Sequence, residues 1–71
     1  MLGTATNKAI TSSSRVHIDL VDEFIRLTQD RIGAQKDIFV RESLNDLLAS
    51  LREERAGYME LLSAASQFKA A

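Results

Sequence analysis

Cysteine is absent from this 71-residue sequence, aromatic residues make up 6% of it, and the surplus of charge of either sign is small. Without cysteine there is no disulfide to staple a small fold, no thiolate nucleophile and no thiolate zinc site, a usage that fits a reducing compartment. With so few aromatics, one short copy buries little surface against its chain entropy, and association with a second copy is the simplest remedy. Nine Lys and Arg against ten Asp and Glu give a net charge of -1. That excludes a diffuse polycation holding nucleic acid by bulk electrostatics. No apolar run approaches the roughly 20 residues that span a bilayer, and the charged head and apolar centre of an export signal are missing. The expectation is therefore a cytoplasmic protein with no membrane association. A glycine-rich phosphate loop, a nucleophile and base with room around a substrate, and paired carboxylates in an enclosed pocket are also missing. A single histidine leaves no metal set. The sequence predicts no enzyme, no cofactor and no metal.

What is present is an ordered change of hydrophobic period. Residues 1–13, within MLGTATNKAITSSS, are small and polar without useful periodicity and read as a flexible arm. Next comes the alternating run SRVHIDL, which puts Val16, Ile18 and Leu20 on one face of a strand and Arg15, His17 and Asp19 on the other. From Asp22 the period becomes helical. Phe24, Ile25, Leu27, Thr28 and Ile32 form a broad apolar stripe, Asp22 and Glu23 suit a positive first turn, and Gly33 is expected as a left-handed cap. Asp37 is expected to cap a second helix whose apolar face runs through Phe39, Val40, Leu44, Leu47, Leu48 and Leu51. Beyond it, Tyr58, Leu61, Leu62, Ala65 and Phe68 keep helical spacing. Gly57 costs about 1 kcal/mol in a helix interior, too little to force a break. Three parts follow: an arm over 1–13, a domain over 14–51 and a helical extension over 52–71. Residues 1–36 hold five basic side chains (Lys8, Arg15, Arg26, Arg31, Lys36) against four acidic ones, so a DNA-facing surface belongs on this side.

The stretch from Arg15 to Leu48 resembles the ribbon-helix-helix superfamily of Arc, MetJ and CopG repressors. The resemblance rests on VHIDL, VDEF, Gly33, AQKD and then Phe39, Val40 and Arg41, about half of the chain. Val21 stands where the family commonly has proline, and Asp19 where a basic or polar reader is more usual. The resemblance implies a mainly α fold with one β-strand, built as an intertwined homodimer whose two strands form an antiparallel ribbon, followed by the helical extension. It implies a sequence-specific binder of double-stranded DNA, a repressor or a plasmid or phage accessory factor, with the ribbon in the major groove. The base-contacting residues it implies are Arg15, His17 and Asp19. Phosphate contacts fall at the start of the second helix, on Gln35, Lys36, Asp37 and Ile38. Because the chain is slightly acidic, weak non-specific affinity and higher oligomers on repeated sites are expected.

Other readings stand beside this one. The exposed strand face is alternatively a solvated or partner-facing surface. Residues 52–71 either bind a protein partner, as in an antitoxin of this superfamily, or pack on the dimer. A small helical adaptor without a nucleic-acid role is the remaining class.

Overall fold

In the computed structural model the chain is a hairpin of two long helices, described for the backbone of residues 3–70 and the side chains of residues 7–66. Helix α1 spans Gly3–Ala34 and helix α2 spans Ile38–Ala70. The two pack antiparallel along a body whose Cα extents are 53 × 17 × 14 Å.

Among the described residues there is no strand, which overturns the mixed fold expected from the sequence. SRVHIDL is helix throughout, so no intermolecular ribbon forms and the ribbon-helix-helix architecture falls with it. The physical reason lies in two periods that share one residue. Val16, Ile18 and Leu20 alternate as a strand does, but Ser14, Ile18, Val21 and Ile25 follow the 4-3-4 spacing of a helix. The helical set is the one that packs: Ser14, Ile18 and Val21 are buried, while Val16 and Leu20 are more than half exposed. A helix also closes the backbone hydrogen bonds within the segment, whereas a lone strand leaves them for another chain. Helix α1 passes the 13/14 boundary without interruption, and α2 passes 51/52 in the same way.

The buried line is a seam of regular 3-4 spacing. On α1 it runs Thr11, Ser14, Ile18, Val21, Ile25, Thr28 and Ile32, and on α2 Leu44, Leu48, Leu51, Arg55, Tyr58, Leu62 and Ala65, all buried or half-buried. A strict seven-residue repeat keeps one line of side chains facing a partner along a whole helix, as in a coiled coil. Polar members recur in it. The Thr28 hydroxyl donates to the Phe24 carbonyl at 2.7 Å, a bond within its own helix.

Residues 35–37 make the turn. Gly33 does not adopt the left-handed conformation expected of it, since it has no positive φ and lies inside α1. The chain instead leaves the helix through a Gln35 N–H bond to the Ile32 carbonyl at 3.3 Å. Asp37 does cap α2. Its Oδ1 accepts from the N–H groups of Phe39 at 2.9 Å and Val40 at 3.2 Å, and its carbonyl accepts from Arg41 N–H at 3.0 Å. Gly57 lies within α2 without breaking it.

Candidate functional site

Of the large apolar side chains exposed outside the seam, Val16, Ile38, Phe39 and Met59 lie elsewhere, and the other six share one face. Leu20, Phe24 and Leu27 on α1, and Val40, Leu47 and Leu61 on α2, are each between 41% and 54% exposed. With half-buried Ile10 they flank the seam on one side only. On α1 this flank runs Ile10, Ser13, His17, Leu20, Phe24, Leu27 and Arg31; on α2 it runs Val40, Ser43, Leu47, Ser50, Glu54, Gly57, Leu61 and Ala64. Both lines repeat the 3-4 spacing of the buried seam, so both hold one direction along most of the hairpin.

Three shallow hollows follow one another along this face. Near the turn, Phe24, Leu27, Arg31, Val40 and Leu47 line a groove. Farther along lie Glu54, Gly57, Tyr58 and Leu61, and then Asn7, Ile10, Leu61 and Ala64. His17 and Tyr58 stack across the two helices in the same region, with ring centroids 4.6 Å apart and planes inclined by 1°. The opposite flank is charged. It carries Arg15, Asp19, Asp22 and Arg26 on α1 with Glu42 and Arg52 on α2, interrupted by Met59, which is 42% exposed. Asp22 accepts from Arg55 Nε at 2.6 Å there, and Glu23 pairs with Arg26 along the outside of α1.

The residues assigned to base reading are not brought together. Arg15 and Asp19 stand one helical turn apart on the charged flank, whereas His17 is on the apolar one against Tyr58. Strand alternation put all three on one face; a helix turns about 100° per residue and parts them. Gln35, Lys36, Asp37 and Ile38 do gather at the turn and the start of α2. The N–H groups of Phe39 and Val40 are occupied by the Asp37 carboxylate, and a docking phosphate would meet that charge. Gln35 Oε1 accepts from Asp37 N–H at 3.1 Å, so its side chain is used within the turn.

The uncovered face was legible in part as the breadth of the stripes. Phe24, Ile25, Leu27, Thr28 and Ile32 are too wide a set for one partner helix, and the structure divides them. Ile25, Thr28 and Ile32 turn into the hairpin, while Phe24 and Leu27 stay outside. On α2 Leu44, Leu48 and Leu51 turn inward, while Val40 and Leu47 stay outside. Phe39, expected on the packed face, is 76% exposed. Phe68 lies beyond the described side chains.

Among the described residues no cluster of three or more His, Asp or Glu side chains is placed to hold a metal ion, and no helix is long and apolar enough to cross a membrane. No family model, no curated protein and no solved structure matches the chain.

Proposed function

We propose that this protein is a helical-hairpin interaction module whose apolar flank receives helices. The observation that carries the reading is the second 3-4 line, which runs over residues 10–31 and 40–64 and is left uncovered. An exposed apolar patch of that extent on a small protein marks an interaction site, and its periodicity selects an α-helical occupant over a loop or a small ligand. The antiparallel seam holds α1 and α2 side by side, and the charged opposite flank keeps that side in water. The cytoplasm is the compartment proposed with it, in keeping with the cysteine-free sequence.

The DNA-reading proposal loses its support along with the ribbon, since it needed Arg15, His17 and Asp19 on one exposed strand face. Residues 52–71 do not act apart from the rest; Leu61 and Ala64 continue the face begun by Val40 and Leu47.

Thiol labelling in living cells tests the proposal. Leu27→Cys and Leu47→Cys place the only thiols on the apolar flank, and Asp19→Cys and Glu42→Cys place them on the charged one. Protection of the first pair relative to the second is the expected result. Equal labelling of all four refutes an occupied apolar flank.

A further inference from the structure

Resting on that reading, we propose that the occupant is a second copy of this chain, giving a four-helix bundle in which α1 of each copy lies over α2 of the other. Three features of the face lead there. The first is its length: the uncovered line covers residues 10–31 of α1 and 40–64 of α2, most of each helix, and has the same repeat as the buried seam, so its match is another pair of helices.

The second is self-complementarity. The α1 side carries bulk, in Leu20, Phe24 and Leu27, while every seventh position on the α2 side is small, in Ser43, Ser50, Gly57 and Ala64. His17 stacks on Tyr58 and Asp22 pairs with Arg55, which fixes the register between the helices. At that register Leu20 is level with Gly57 and Leu27 with Ser50. A twofold axis parallel to the hairpin preserves level and exchanges α1 for α2. It therefore sets Leu20 against Gly57 of the partner subunit, and Leu27 against Ser50 of the partner subunit, twice per dimer. Small residues let helix backbones approach, and large ones fill the space between. A Cβ built on Gly57 meets nothing within 4 Å in the single hairpin, so the space in front of it is open.

The third feature is area. The line reaches about 36 Å along a face 17 Å wide, a footprint on the order of 600 Å², which is near the lower end of what each partner gives to a stable interface. The hairpin has need of it, because among the described residues no side chain falls below 2% exposure. Glu54 interrupts the face and weakens the association, as polar residues at such positions do.

The test is sedimentation equilibrium of the full chain over a dilution series, with circular dichroism to follow the fold. Gly57→Leu leaves the hairpin helical, since its site is open and leucine favours helix, but it fills the space that Leu20 requires. It is expected to weaken the dimer by about tenfold or more. Leu20→Ala combined with Gly57→Leu exchanges the large and small partners and is expected to restore it. Glu54→Leu is expected to tighten it. A wild-type chain that stays monomeric at the highest concentration overturns the proposal, as does a dimer indifferent to Gly57→Leu and Glu54→Leu. Flank thiols protected in cells, with a purified chain that is monomeric, would keep the module and discard the second copy as occupant. Thiols unprotected in cells would discard the module itself.

Discussion

Leu47 and Leu48 are neighbours of one residue type, yet the structure assigns them opposite loads. Leu48 is 8% exposed in the seam between the helices, and Leu47 is 47% exposed on the uncovered flank. Removing a leucine side chain from a closed core costs about 2–5 kcal/mol. The seam of two helices is open at its sides, so the lower end applies and Leu48→Ala is expected to cost about 2 kcal/mol. Leu47 is already half in water, and Leu47→Ala is expected to cost about 0.5 kcal/mol in the isolated hairpin. For a domain of this size about 1 kcal/mol moves Tm by about 4–8 °C, so the two variants separate clearly in a thermal melt followed by far-UV circular dichroism. The measurement is made at high dilution, where each chain is alone, and again at high concentration. Dilute samples report the hairpin. In concentrated samples Leu47→Ala loses further ground against wild type if the flank is covered by a second copy. Equal losses for the two variants at high dilution would show that the seam is not where the structure places it.

Other consequences are as concrete. Asp37→Ala removes the acceptor for two N–H groups at the start of α2 and is expected to cost about 1 kcal/mol, with Asp37→Asn retaining most of it; urea titration of both variants checks this. Gly33→Ala is expected to stabilise by about 0.5–1 kcal/mol, because Gly33 has no positive φ and its Cβ direction is open; a loss of stability would restore the left-handed cap. The Asp22 and Arg55 side chains are 47% and 41% exposed, so a double-mutant cycle is expected to give a coupling below about 1 kcal/mol that shrinks with added salt. A coupling that salt leaves unchanged would contradict a solvent-screened pair.

Part of this molecule was readable from local pattern. The helical period after Asp22, the helix after Asp37, the Asp37 cap and the failure of Gly57 to break α2 all depend on spacing within a turn or two, and the structure agrees on each, although Asp22 and Glu23 lie inside α1 and not in its first turn. The run from Ser14 to Leu20 was not readable in this way. Its Val, Ile and Leu alternate like a strand, and the competing helical line passes through Asn7, Thr11 and Ser14, polar residues that a search for apolar periodicity passes over. Ser14 is nonetheless only 2% exposed. Small polar side chains are admitted there because two helices in close antiparallel contact leave little room, and Ala65 on α2 is buried in the same seam.

The sequence by itself determined that helix runs on from Asp22 and again after Asp37, that Asp37 caps the second helix, and that each helix carries a wide apolar stripe. These follow from propensity, capping and period, which act over a few residues. Only the tertiary structure decided that residues 14–20 join the first helix, and that each stripe is two lines with different fates. That division depends on which residues of α1 meet which of α2, contacts such as His17 with Tyr58 and Asp22 with Arg55 that no local pattern contains. Once Ile18 and Val21 turn toward α2, helical geometry carries Leu20, Phe24 and Leu27 to the uncovered side, together with His17 and away from Arg15 and Asp19.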